Sequence, residues 1–157
     1  MKQKDELKLE IEENKLVLKD GRVSIGGWLQ LPCPEVAGIV AGSAVDWVAI
    51  DLEHGSIGFE SMIHMMRAIA LRQKMPLVRV PSDDSSFCRR VLDAGAQGLI
   101  VPKVECPDKF SNLLRDLTLP PEGNRGVGFC RANSYGAEFD DYLSGKNSSP
   151  IIAIIES

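Results

Sequence analysis

The segment AIDLEHG, residues 49–55, decides how the rest of the chain is read. Trp47 to Ile50 is uninterrupted apolar sequence. Asp51, Glu53 and His54 then crowd together before Gly55 ends the run. A strand with one wet face alternates apolar and polar residues. A strand apolar on both faces belongs inside a parallel sheet covered by helices. Ionisable groups at the tip of such a strand are costly unless they have partners or chemistry there.

The same pattern recurs along the chain. VSIGGWLQL (23–31), PLVRV (76–80), GLIVP (98–102) and IIAIIE (151–156) read as further strands. Helical patterns separate them. Pro34 suits a first helical turn ahead of Val36, Ile39 and Val40. Residues 59–74 place Phe59, Met62, Ile63, Met66, Ile69 and Ala70 at helical spacing, the methionines as core filler. Asp83, Asp84 and Ser85 are caps for a helix through Leu92 that Gly95 closes. Pro107 opens another, carrying Phe110, Leu113, Leu114 and Leu117. A loop rich in Gly, Asn and Ser follows, with a short helix at 138–143. Residues 5–19 read as a charged amphipathic helix stopped at Lys19-Asp-Gly21.

Strands alternating with helices predict an α/β fold with a parallel sheet. Two architectures fit, a (β/α) barrel and an open doubly wound sheet, and both bind ligands at the carboxyl ends of the strands. The chain has 157 residues, the length of one domain. Its net charge of −4, with no basic block, excludes nucleic acid and anionic membranes as main partners. No apolar run approaches the roughly 20 residues of a membrane span. The N-terminal MKQKDELKLEIEENK has no apolar signal core. Cys33, Cys88, Cys106 and Cys130 form no C-x-x-C pair and read as free thiols in a reducing cytoplasm.

Polar residues fall at the same end of nearly every strand: Trp28 and Gln30; Asp51, Glu53 and His54; Arg79; Pro102 and Lys103; Glu156. That convergence marks a candidate site. His64 sits on a helix flank, off the apolar stripe, and reads as a surface or packing residue. GNRGVG, 123–128, has no preceding strand and no following lysine, so it does not read as a phosphate loop.

Taken in order, GGWLQLPCPEVAGIVA, DWVAIDLEHG, PLVRVP, VLDAGAQGLIVPKV, LPPEGNRGVGFCRANSYG and IIAIIES resemble the HpcH/HpaI family of metal-dependent pyruvate aldolases. The resemblance implies a (β/α)8 TIM barrel. Residues 1–157 would be a single incomplete barrel domain of about five parallel strands, ending at the fifth. It implies reversible cleavage of a 4-hydroxy-2-oxo acid to pyruvate and an aldehyde, with a divalent metal, Mg²⁺, Mn²⁺ or Co²⁺. It also implies a homo-oligomer acting on small molecules, a 2-oxo acid and an aldehyde. Carried over by position, His54 matches the catalytic base and Asp93 the carboxylate that partners it. Arg79 matches the arginine that holds the 2-oxo acid, while Trp28 and Asp51 match residues at the substrate. Glu156 matches one of two metal ligands, the second being an aspartate beyond strand five. At Ile154 the family usually carries glutamine, and at Ala44 glycine. The alternative function is a truncated non-catalytic homologue or half-barrel subunit that binds a 2-oxo acid or a partner chain. A CoA-ester lyase of the citrate lyase group is a third, which the D-x-E-H-G segment disfavours.

These residue types suit that chemistry. Cleaving the C3–C4 bond leaves an enolate, which a Lewis acid stabilises. Arginine binds a carboxylate bidentately and stays charged. Histidine as a side chain type titrates near neutrality, and a carboxylate behind its ring fixes the tautomer.

Overall fold

The computed structural model describes residues 9–12, 15–18, 23–144 and 149–156. β1 (Leu9–Glu12) and β2 (Lys15–Leu18) form an antiparallel pair, with Leu9 opposite Leu18 and Ile11 opposite Leu16. This corrects the helix expected over 5–19, whose remaining residues lie outside those described. LEIE and KLVL alternate apolar and polar or β-branched residues, a period of two that suits a strand. Glutamate and lysine are good helix formers, and their abundance masked that period.

The main sheet is parallel. Its strands are β3 (Gly26–Leu29), β4 (Trp47–Asp51), β5 (Met75–Arg79), β6 (Gly98–Val101) and β7 (Ile151–Ala153), side by side in chain order. Helices α1 (Pro34–Ala41), α2 (Phe59–Leu71), α3 (Ser85–Asp93) and α4 (Pro107–Leu117) link consecutive strands, and a short α5 (Phe139–Leu143) lies in the last connection. A doubly wound sheet reverses its strand order at a switch point. Here there is no reversal, so the sheet winds one way, as in a barrel. The strand and helix positions read from the sequence agree with this order within a few residues at their ends. The long connection also contains a 3-10 turn, Arg131–Gly136, that the sequence reading missed.

Alternation within the strands separates two apolar layers. Val48, Ile50, Val78, Leu99 and Val101 pack with the buried Met62, Met65, Met66 and Ile69 of α2 and Cys88 and Val91 of α3. Ala49, Leu77 and Ile100 point to the other face, with Trp47, Met75, Ile152 and Ile154 partly buried beside them. Helices therefore cover one face, and the second has the composition of a barrel interior. His64 is exposed on α2, as its position off the stripe requires.

Local chemistry sets the helix ends. Asp84 caps α3 by accepting the Ser86 N–H at 3.0 Å. Gly95 follows the helix at φ +97°, a left-handed conformation that glycine adopts without strain. The GNRGVG segment lies in the connection after α4. There the buried Arg125 donates to Asp93 at 2.7 Å, a structural role for that loop.

Leu99 is fully buried between sheet and helices, whereas Ile39 on α1 is 73% exposed. Leu99→Ala is expected to lower the free energy of unfolding by about 2–5 kcal/mol. Ile39→Ala is expected to change it by no more than about 0.5 kcal/mol. Urea denaturation of the two variants measures the difference.

Candidate active site

The alternation that builds the inner layer also builds the site. In β4, Trp47 and Ala49 face inward, so Asp51 does too. In β5, Met75 and Leu77 lead to Arg79, and after β7 the series Ile152, Ile154 leads to Glu156. Trp28 pairs in register with Ala49 and shares its face. Parallel strands bring all these tips to one end of the sheet.

Asp51 is the centre. It is fully buried, and each carboxylate oxygen accepts three hydrogen bonds. Oδ1 accepts from Arg79 Nε at 2.9 Å and from the backbone N–H groups of Glu53 and His54 at 3.0 and 3.1 Å. Oδ2 accepts from Arg79 Nη2 at 2.5 Å, Gln30 Nε2 at 2.9 Å and Trp28 Nε1 at 3.2 Å. Burial by itself pushes this carboxyl up. The bonds from Arg79, Gln30, the His54 N–H and Trp28 outweigh it and hold the group well below the usual carboxylate range. The sequence suggested contact between Asp51 and substrate. In the structure both oxygens are filled by hydrogen bonds from its neighbours and none of the residue reaches solvent.

Arg79 spends its Nε and Nη2 edge on Asp51. Its Nη1 lies 3.3 Å from Glu53 Oε2, and its carbon centre stacks 5.1 Å from the centroid of the half-exposed Trp28 ring. The hydrogen bonds it donates to Asp51 raise its pKa. Burial opposes that, and the charges of Asp51, Glu53 and Glu156 add to it. Glu53 is the residue whose importance the sequence reading missed. Its side chain is only 7% exposed, with Arg79, Lys103 and His54 around it, and its Oε2 accepts no hydrogen bond. The position was visible in D-x-E-H-G, but its burial was not. Gly55 follows for a steric reason. A Cβ there would stand 2.3 Å from the Asp51 carbonyl oxygen and 3.1 Å from that of Gln30.

His54 stands past the strand tip with 63% of its side chain exposed and Nε2 3.8 Å from Glu53 Oε1. Glu156 is exposed and accepts the Lys103 N–H at 3.2 Å. Asp93 is elsewhere. α3 runs back from the carboxyl end of β5 to the amino end of β6, so Asp93 lies at the opposite end of the sheet, paired with Arg125. Within one copy of the chain, the expected His54–Asp93 pair is therefore not formed. Among the described residues, no three His, Cys, Asp or Glu side chains gather into a group able to hold a metal. The two glutamates at this end are hard oxygen donors, and Glu53 Oε2, with Arg79 Nη1 at 3.3 Å, has no hydrogen bond of its own. In kind, they fit Mg²⁺ or Mn²⁺.

This inward-facing acid–arginine cluster, at the carboxyl ends of consecutively wound parallel strands, coincides with a family match. The model of the HpcH/HpaI aldolase/citrate lyase family matches residues 24–157. The chain belongs to that family. It is 39% identical over 145 residues to a 4-hydroxy-2-oxovalerate aldolase of Novosphingobium aromaticivorans, covering 91% of this chain and 55% of the relative. It is 38% identical over 135 residues to a hydroxypyruvate/pyruvate aldolase of Deinococcus radiodurans, covering 85% and 48%. The fold superposes with a TM-score of 0.73 on the crystal structure of an HpcH/HpaI aldolase/citrate lyase family protein from Burkholderia cenocepacia J2315. That match is 35% identical and covers 83% of this chain and 53% of that one. The five parallel strands are thus part of a TIM barrel, and the chain spans about half the length of the relatives it matches. No helix among the described residues is long and apolar enough to cross a membrane.

The depressed pKa of Asp51 gives a pH prediction. A carboxylate held below its unfolded value contributes stability that is fully present above that value, around pH 3.9, and is lost progressively as the pH falls below it toward the folded value. Below about pH 5 the wild type is therefore expected to lose stability more steeply than Asp51→Asn. At neutral pH that variant, with Arg79 left unpaired, is expected to be less stable by about 3–5 kcal/mol. Urea titrations between pH 3 and 7 measure both effects.

Proposed function

We propose that the chain carries the amino-terminal half-site of a divalent-metal-dependent pyruvate aldolase, cleaving a 4-hydroxy-2-oxo acid to pyruvate and an aldehyde. The observation that carries this reading is the Asp51–Arg79–Glu53 cluster at the mouth of a barrel interior, in a chain of the aldolase family. Asp51 fixes the guanidinium. Arg79 offers its remaining N–H groups to the carboxylate and ketone of the 2-oxo acid, and Trp28 walls that side of the site.

His54 takes the proton from the C4 hydroxyl. The C3–C4 bond then breaks, its electrons pass into the three-carbon fragment as an enolate, and the aldehyde leaves. Protonation of the enolate carbon gives pyruvate. Glu156, with Glu53 beside it, would hold the metal, which when bound supplies Lewis-acid stabilisation of the enolate oxygen. The resemblance pairs Asp93 with the histidine. Because the two residues lie at opposite ends of the sheet within one copy, that pairing requires a second copy, in keeping with a homo-oligomer.

Pyruvate release from 4-hydroxy-2-oxo acids in the presence of Mg²⁺ or Mn²⁺ tests the reading. Arg79→Lys is expected to lower kcat/KM by at least about 100-fold, because a point charge replaces a planar fork and one buried carboxylate loses its partner. An unchanged kcat/KM removes Arg79 from the site. Pyruvate binding without any release, seen by saturation-transfer NMR, assigns the chain a binding role instead.

A shared site gives a separate prediction. His54→Ala and Asp93→Asn, each inactive alone, are expected to recover part of the activity when mixed, since some sites then contain both wild-type groups. Mixtures no more active than the separate variants rule out a site shared between copies.

A further inference from the structure

We propose that Lys103 is a positioning residue that spaces Glu53 and Glu156, holding the first with its ammonium and the second with its main-chain N–H. The proposal rests on the aldolase reading above and gives a role to a residue that has none in it.

β6 and β7 part company at their carboxyl ends. Their register runs to Val101 opposite Ala153. Beyond it, the Ile154 N–H donates to the Val101 carbonyl at 2.8 Å, and the Val104 N–H donates to the Ile154 carbonyl at 3.0 Å. Pro102 and Lys103 lie between those two bonds opposite the single residue Ile154, one residue more than a regular parallel ladder holds, so they arch out as a bulge does. Pro102 has no N–H to offer. Lys103 closes the arch at φ +53°, a left-handed conformation that is strained for a residue with a Cβ. The arch takes the Lys103 N–H off the ladder and delivers it to Glu156 Oε1 at 3.2 Å. The side chain reaches the other way, its Nζ 3.8 Å from Glu53 Oε1.

Charge explains why this position holds lysine. Asp51, Glu53 and Glu156 bring three carboxylates to one strand end, and Arg79 is largely spent on Asp51. Glycine would adopt the φ without strain but would take the second permanent cation away from the nearly buried Glu53, leaving Arg79 at Oε2 and nothing of fixed charge at Oε1. Lysine accepts the backbone strain and supplies the charge. Its exposed ammonium can swing away, so it offsets the two glutamates until a divalent cation takes over and competes with that cation for Glu53.

The test uses Mn²⁺ alone, titrated by the EPR signal of the free ion, with circular dichroism confirming that each variant folds. Lys103→Met and Lys103→Gly keep the N–H and lose the competing charge. Both are expected to bind Mn²⁺ about two- to fivefold tighter than wild type. Lys103→Arg is expected to match wild type. Lys103→Val disfavours the left-handed backbone and is expected to bind about tenfold more weakly than Lys103→Gly. In ¹⁵N–¹H spectra recorded without metal, Glu156→Gln is expected to move the Lys103 amide proton upfield. Equal Mn²⁺ affinity in all four Lys103 variants, or an unmoved Lys103 amide, overturns the proposal. The aldolase reading fails separately: if wild type and Glu156→Gln bind Mn²⁺ equally, Glu156 is no ligand, and the amide shift alone then decides the role of Lys103.

Discussion

The arrangement depends on one buried ion pair. Asp51 has no exposed surface, and a lone carboxylate there would be prohibitively desolvated. It is tolerated because Arg79 meets it with two N–H groups and four further donors complete its lone pairs. Those donors come from β3, from β5 and from the turn after β4. A single carboxylate therefore ties three consecutive connections together at their carboxyl ends. It also fixes the guanidinium edge that stays free, the Trp28 ring stacked against it and the turn that carries Glu53 and His54.

Such a cluster can be buried because the sheet supplies its geometry without further cost. In a parallel sheet wound in one direction, inward positions in neighbouring strands lie in layers. Ala49, Leu77 and Ile100 form an apolar layer, and Asp51 and Arg79 are two residues further along their strands. The change from apolar to charged thus falls at one level across β4 and β5, while Ile100 of β6, in register with Arg79, stays apolar. Below that level apolar side chains pack the barrel interior, and above it a ligand needs polar ones. Gly55 lets the chain turn directly over the Asp51 carbonyl, which keeps Glu53 and His54 at the mouth.

The long connection between α4 and β7 works at the other end. Asn133 is fully buried; it accepts the N–H groups of Cys130 and Gly136 and donates to the Gly128 carbonyl. Arg125 and Arg131 fasten this connection to Asp93 and the Ala94 carbonyl at the end of α3. Nothing in GNRGVG or RANSYG announced these long-range bonds, because each depends on a residue some 30 or more positions away. The amino-terminal pair of strands was misread for a related reason. In short charged segments, periods of two and of 3.6 are hard to separate, and strand pairing decides between them.

Sequence alone determined the five parallel strands, the helices between them and the end of the sheet at which the site lies. Those features rest on local periodicity, on Pro34 and Pro107 as helix starts, on Gly95 as a stop, and on the abrupt change at Asp51. It also supplied the family, through motifs kept in order along the chain. Tertiary structure decided what each polar residue touches. Asp51 turned inward and filled its oxygens, Glu53 became a nearly buried acceptor, and Asp93 was carried to the far end by the return of α3. A residue's face follows from its place in the strand, but its partner follows from register and helix direction, which only the assembled sheet fixes.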